Sequence, residues 1–458
     1  MERKFYDIII IGCGIAGLFT AYTLLKYLKN KQILILEKGG RIEERICPEG
    51  TKCSSFSYCQ VLCGVGGAGG FSDGKITLDP YIGTHHKNLL NLPTKTISIY
   101  INQVHAIIKK VIPYGVYYGT DVSRKISDIE IMGYRGYHIG TDGVRILIKD
   151  LYNQISKKCN ILLQSEAINI NFSTEKINKK YSVTYKRKNK IWQVFGDHLV
   201  IATGLEGTAF IEKILKDFNL VSKLRNSDIG IRLETCYEVF EKFMHNFYDF
   251  KIYYKSNNID LRTFCVNHRG YVLTENHIGL NIKGVNGHSY IHKKSDNTNL
   301  SILATISLKK VSDPPLFVRN LARTINRESK NYPAYQDLDE FLGKSKQNKK
   351  VKIYRTNKKV RYGNIRKILP SFLYKSFRDF LFKLSNTFPL MQKYQTYIYA
   401  PEIKYFQYKI PLTPCAYIPN SNIYVIGNSS GHTVNLVGAG IMAIIAAEDI
   451  INKIKNQG

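Results

Sequence analysis

The chain opens with two apolar runs that flank a helical periodicity. Ile8 to Ile11 is wholly apolar and β-branched, the pattern of a strand covered on both faces. Leu18, Phe19, Tyr22, Leu25 and Leu28 then recur at helical spacing, and Ile33 to Leu36 forms a second apolar run. Further on, the spacing predicts a helix near Ile97 to Val111. A second, amphipathic one begins at Gly140-Thr141-Asp142 and runs to about Lys157, with Thr141 or Asp142 as its N-cap. Ile161 to Leu163 and Ala167 to Ile170 read as extended. Three short strands follow at Tyr181 to Lys186, Ile191 to Phe195 and His198 to Ala202, a meander that closes on Ala202-Thr203-Gly204. Residues 228 to 308 are rich in strand signals (DIGIRLE, FKIYYK, RTFC, YVLTE, LSILATISL) and predict an antiparallel sheet walling a substrate cavity. Asp313-Pro314-Pro315 is a break, and residues 316 to 395 are basic and mostly helical or irregular. Their run KSKQNKKVK, Lys344 to Lys352, reads as an exposed, solvated loop. Asn422 to Ile426 is a last strand, and Gly438-Ala439-Gly440 opens a helix toward the C-terminus.

Glycines turn this pattern into chemistry. Gly12, Gly14 and Gly17 stand between the first strand and the first helix as Gly-x-Gly-x-x-Gly, and Glu37 ends the second strand. The first glycine allows a tight turn, the second lets a pyrophosphate approach the backbone, and the third lets helix and strand pack closely. The helix N-terminus, with Ile15 and Ala16 in its first turn, offers unpaired N–H groups to that pyrophosphate, and Glu37 stands where an acid accepts from an adenosine ribose. Lys38 follows it as a further cofactor-side residue. This predicts a dinucleotide site, and its position at the start of the chain favours FAD over NAD by analogy. The fold class is then α/β. Residues 1–210 and 411–458 make a discontinuous, Rossmann-like FAD-binding domain, a parallel sheet with a β-meander. Residues 211–410 make a mixed α+β substrate domain inserted before the C-terminal return.

A second glycine cluster lies at residues 64–70 and runs into Ser72-Asp73-Gly74-Lys75. It repeats Gly-x-Gly-x-x-Gly without a strand before it, so it reads as a loop that lets backbone approach a ligand, with Ser72, Asp73 and Lys75 beside the cofactor. Thr203-Gly204, Gly427-Asn428 and the glycines of the last helix, Gly438 and Gly440, complete the expected cofactor contacts. That helix end is a second anion-friendly N-terminus.

Charge and cysteines bound the function classes. The net charge of +30 accompanies an abundance of Lys, Asn, Ile and Tyr. Those codons are A/T-rich, and the basic residues are spread along the chain, so the charge reads as compositional bias with nonspecific attraction to polyanions rather than a nucleic-acid site. No apolar run reaches the roughly 18 residues that a membrane span needs. Nine scattered cysteines do not form a secreted disulfide framework, so a cytoplasmic protein is expected. Cys47, Cys53, Cys59 and Cys63 cluster before the glycine loop, either as plain thiols or as a thiolate site for Zn or Fe–S.

In order along the chain, GCGIAGL, EERICP, CGVGGAGGFSDGK, GTD, DIGIRLE, RTFC, SDNTN and PEIKYF resemble a widespread, poorly characterised family of FAD-dependent dehydrogenases within the glutathione-reductase-like flavoproteins. The resemblance implies FAD binding and an oxidoreductase fold, with no substrate assigned. Two departures stand out. The usual Gly-Asp near the C-terminus is Gly427-Asn428, which still accepts through its carbonyl oxygen but has lost the charge, so weaker FAD binding is expected. The cysteine gaps are also irregular. The expected activity is hydride transfer between flavin and a small or lipid-like substrate, with NAD(P)H only as a transient reductant. An RNA-associated flavoprotein and a non-enzymatic flavin carrier are the alternatives. Candidate catalytic groups are Lys75, either a cation by the flavin or a surface salt bridge; Arg262; and Cys265, either redox-active or an inert buried thiol. His268 reads as a loop residue.

Overall fold

The computed structural model describes residues 4–46, 58–81, 86–119, 123–126, 129–172, 180–244, 247–344, 350–404 and 406–456. Two large sheets organise them. In the first, Lys4–Ile11 pairs in parallel with Ile33–Leu36 on one side and with Lys190–Ile201 on the other. Asn160–Leu162 and Ile423–Val425 extend the parallel part, while Ser165–Phe172 and Tyr181–Arg187 add the antiparallel meander. The parallel centre is covered on both faces, which is why its strands are almost uniformly apolar. On one face the helices Ile15–Tyr27, Thr94–Val111, Gly140–Ile155 and Leu436–Lys455 pack into a single core.

The meander differs from its sequence reading in one respect. Ile191 to Phe195 and His198 to Ala202 are not two strands but one, Lys190–Ile201. It runs straight through Gly196 because its ends have different partners. Residues 190–196 are held by Tyr181–Arg187, and residues 194–201 by the first strand.

The second sheet has nine strands and is antiparallel throughout its centre, in the order Tyr397–Lys404, Ser227–Cys236, Asn297–Ile306, Ile259–Asn267, Lys251–Ser256. The helices Pro314–Glu328 and Ser371–Thr387 cover it and share its core. Its far edge is Ser123–Ile126 and Ile129–Met132, so residues of the span 1–210 complete the second sheet. A hairpin, Tyr271–His277 with Ile282–His288, lies against the sheet, and its second strand carried no expectation from sequence. The last helix begins at Leu436, ahead of Gly438, because the Asn435 side chain caps it through the Gly438 N–H at 2.6 Å. No helix among the described residues is long and apolar enough to cross a membrane.

Five buried histidines, His138, His198, His277, His288 and His432, have their pKa lowered to about 4, in each case first by burial. Unfolded histidine titrates near 6.5, so between about 6.5 and 4 the unfolded chain takes up protons that the folded chain refuses. The stability these residues contribute is complete above that window and is lost as pH falls through it. Thermal melts taken at steps from pH 7 to 4 are expected to show Tm falling progressively across the window; a flat Tm would contradict it.

Candidate functional site

The first strand runs into the turn Gly12-Cys13-Gly14, and the first helix leaves it. Gly12 has φ +103°, and a Cβ there would stand 2.4 Å from the Ala202 carbonyl oxygen, so only glycine fits. At Gly17 a Cβ would lie 2.0 Å from the Gly12 oxygen, so this glycine closes the helix onto the turn. At Gly14 the nearest atom to a Cβ would be Gly67 Cα at 3.7 Å; the space beside it is cavity. No side chain caps this helix, which leaves its first N–H groups for a ligand.

The cavity extends from this turn, past Ile15 and Ala16, to the second sheet. It holds about 1830 Å³ of atom-free space, part of it open to solvent. Its lining runs from the glycine turn to strands of the second sheet, so the cleft is elongated. Glu37, Lys38, Ser72, Asp73, Lys75, Thr203, Gly204, Gly427 and Asn428, the expected cofactor contacts, all line it. Gly438 and Gly440 do not. They lie inside the last helix, where a Cβ on Gly440 would stand 2.9 Å from Val104, and Asn435, Leu436 and Ala439 face the cavity instead.

Glu37 is held by backbone. Its Oε2 accepts from Cys13 N at 2.7 Å, and its Oε1 from Gly39 N at 2.8 Å and Gly64 N at 2.9 Å. Oε2 accepts a single bond, which leaves it capacity for one further donor, and Glu37 lines the cavity. The carboxylate thus joins the first glycine turn to the second glycine loop. Gly66 N also donates to Cys13 O at 2.7 Å. The loop itself is clamped by Arg45 of EERICP. This fully buried guanidinium donates to the carbonyls of Gln60, Val61, Val65 and Gly67 at 2.7–3.0 Å. Sequence reasoning gave Arg45 no role; the glycine-rich loop, whose carbonyls no regular structure pairs, was the signal.

Lys75 is not a surface cation. Its side chain is 5% exposed, 2.9 Å from Asp73 and 3.5 Å from Asp249, and it donates to the Val266 carbonyl. Lys251 stands 3.0 Å from the other Asp249 oxygen. Burial alone pushes the Asp249 carboxyl up, but Lys251 and then Lys75 outweigh it and hold it low. Burial likewise opposes the Lys75 charge, and Asp249 and Asp73 reverse that and hold the ammonium protonated. Two lysines and two aspartates therefore form a charge-balanced cluster on the cavity wall.

Cys265 lines the cavity beside this cluster, at a bulge with φ +45°. Burial, then Asp73, pushes its thiol up to about 12, so it is not a thiolate. Arg262 does not line the cavity. Its guanidinium is engaged by the buried Asp228 and by Thr305 Oγ1 at 2.9 Å, so it braces strands instead of facing a ligand. His268 pairs with Thr298 and Glu241 and is likewise off the cavity. Of the four clustered cysteines, Cys47 and Cys53 lie outside the described residues. Cys59 and Cys63 are buried, the Cys59 thiol pushed up to about 11 mainly by burial. Among the described residues no group of three or more potential ligands is placed to hold a metal.

Behind the cavity, Asp73 connects to a second network. Asn267 Nδ2 donates to Asp73 at 3.0 Å, and Asn267 Oδ1 accepts from Arg232 at 3.1 Å. Arg232 makes a bidentate pair with Glu402 at 2.6 and 2.8 Å and bonds Asn299 at 2.8 Å; both charged side chains are 0% exposed. DIGIRLE, the strand that carries RTFC, SDNTN and PEIKYF, together with SDGK, meet in this one chain of bonds.

Whether these residues fit FAD is answered by the cavity itself. Ser72 Oγ and Thr203 Oγ1 are buried on its wall without a partner, and the cradle over Gly14 is open. A glycine turn, a free helix end, an acid with an open lone pair and unpaired hydroxyls along one elongated cleft are the donor set of a bound dinucleotide. The fold and this site define an FAD-dependent flavoprotein of α/β architecture. Residues 229–404 match the family described as FAD-dependent protein, C-terminal domain-like, so the resemblance drawn from the motifs is borne out. An uncharacterized protein of Clostridium beijerinckii is 24% identical over 318 residues, 65% of this chain and 51% of that protein. The match thus spans about half of that relative's length. Three solved structures are similar over nearly all of this chain. A geranylgeranyl bacteriochlorophyll reductase-like protein of Thermoplasma acidophilum is 13% identical over 100% of this chain and 80% of its own, with TM-score 0.44. A flavoprotein/dehydrogenase of Cytophaga hutchinsonii is 10% identical over 98% and 79%, with TM-score 0.42. Glycine oxidase of Geobacillus kaustophilus is 10% identical over 98% and 95%, with TM-score 0.43. At these values they bear on no individual residue of this chain.

Proposed function

We propose that the protein is a dehydrogenase that moves hydride between FAD and a small organic substrate seated against the second sheet. The observation that carries this is a single cavity whose lining runs from Gly12 and Gly14 to Cys265 and Lys404, joining the glycine turn to the second sheet. The adenosine half of FAD lies over Gly12–Gly17 and Glu37, held by the helix end and the open lone pair of Glu37. Bound there, FAD supplies a two-electron acceptor. The chain's own residues hold fixed charge around the reacting partners. Lys75 and Lys251 are locked by Asp73 and Asp249, so they present preorganised cations that need not reorient. Cys265, as a thiol, is a neutral donor on the same wall.

The antiparallel pairing of residues 227–306 and 397–404 supports a chain whose mid-section serves the substrate, since a nicotinamide domain is built on parallel strands. Reduced nicotinamide then acts only as a passing donor. Anaerobic mixing of the flavin-loaded protein with NADH or NADPH is expected to bleach the flavin slowly and without saturation. Fast, saturable bleaching at micromolar nicotinamide would mean a dedicated site and defeat this part of the proposal.

A further inference from the structure

The cavity wall formed by the hairpin and the strand Tyr397–Lys404 carries charges that the cluster at Lys75 does not use. The hairpin Tyr271–His288 crosses the strand Tyr397–Lys404, with a Cβ on Gly284 placed 3.4 Å from the Pro401 oxygen. This crossing sets Glu275, Asn286 and Gly287 of the hairpin on the same cavity wall as Lys404. The Lys404 side chain is 8% exposed, and its nearest carboxylate oxygen is Glu402 Oε1 at 3.9 Å, beyond hydrogen-bond reach. That oxygen already accepts from Arg232 at 2.6 Å, and Oε2 accepts from the same guanidinium at 2.8 Å. Two buried cations therefore share one carboxylate, and Arg232 holds it.

Glu275 does not relieve this. It accepts from Asn286 Nδ2 at 2.6 Å, and among the described residues only Glu402 comes within ion-pair distance of Lys404. His277 stands by the same groups, 3.9 Å from Glu275, with both ring nitrogens buried and unpartnered. Glu402 is thus a distant and already engaged counter-ion for Lys404, and an incompletely paired buried cation is costly.

We infer that this wall of the cavity is a carboxylate-binding subsite with Lys404 as its cation, and that the substrate is a small organic acid; the inference rests on the cavity being a flavoenzyme site. The substrate carboxylate takes the position beside the Lys404 ammonium that Glu402 leaves open. Glu275 offers an acceptor to a hydrogen-bond donor on the same molecule. Arg232, through its grip on Glu402, is a positioning residue and does not touch the ligand.

The test uses flavin-loaded protein and two matched pairs of probes, acetate against acetamide and benzoate against benzamide. Binding is read by calorimetry and by the change in flavin absorbance. At least one acid is expected to bind saturably, roughly tenfold or more tighter than its amide, as a charge-assisted hydrogen bond implies. Lys404→Met is expected to remove that preference while flavin content stays at the wild-type level. The inference is overturned if neither acid binds, if acid and amide bind alike, or if a folded Lys404→Met variant keeps the preference. Should that variant fail to fold, the acid-to-amide ratio in the unaltered protein decides alone. A protein that purifies folded but takes up no FAD would instead refute the flavoenzyme reading, a different and separately visible failure.

Discussion

Gly14→Val is expected to strip the protein of flavin while leaving it folded. The backbone at Gly14 has φ −70° and ψ −175°, open to any residue, and a Cβ there meets nothing closer than 3.7 Å. The added methyls enter the space that the proposed FAD placement gives to its pyrophosphate, so the cost is expected to fall on the cofactor. Loss of one or two backbone bonds to phosphate corresponds to a drop in affinity of roughly tenfold or more. The flavin-to-protein absorbance ratio after purification measures it, with circular dichroism as the control for folding. Full flavin absorbance in the folded variant would refute the placement of the cofactor. The contrast with Gly12 sharpens the test. There any side chain collides with Ala202 at positive φ, so Gly12→Val should fail as a folded protein altogether.

The other large effect belongs to Glu402. Truncation to alanine leaves Arg232 wholly buried with no ion-pair partner, and removes the one carboxylate within ion-pair distance of Lys404 among the described residues. Breaking a buried pair in this way typically costs about 3–5 kcal/mol, against a total stability of about 5–15 kcal/mol for a domain. The variant should unfold at markedly lower urea concentration, or reach the insoluble fraction. A urea midpoint equal to the wild type would show that the pair carries no such energy. Glu402→Gln keeps the shape and an acceptor oxygen, so its loss should be smaller than that of alanine.

How much of this was legible in the sequence depended on whether the signal was local. The strand–turn–helix–strand unit to Glu37 is written in adjacent residues, and it stands as read. The antiparallel strands between 228 and 308 were equally visible, because each is a run of alternating or apolar residues bounded by turns. The misread break at Gly196 arose because one strand serves two partners, which no local pattern reports. Arg262 was taken for a ligand-facing cation because it sits in a motif; its partner Asp228 lies on a different strand, and register decides which way the pair turns. The cavity-lining set Asp249, Lys251, Glu275, Asn286 and Lys404 was missed as a group. A trace of it was present nonetheless. Arg232 and Glu402 are charged residues inside otherwise strand-like stretches, and a charge in such a place demands a partner from elsewhere in the fold.

The paired strands Ser123–Ile126 and Ile129–Met132 that complete the second sheet have a bearing on how the chain reaches its native state. They leave the ribosome well before Lys251–Ser256, the strand they pair with, has been made. Until then they are a two-stranded ribbon, marginal in water by itself. The first sheet waits in the same way for Ile423–Val425, and the last helix for its seat on the first. The second sheet therefore cannot finish without residues 123–132, and the first cannot finish before the C-terminal return is made. Both sheets depend on pairings between strands far apart in sequence, so residues 211–410 expressed alone are expected to lack the edge of their sheet and to fold poorly.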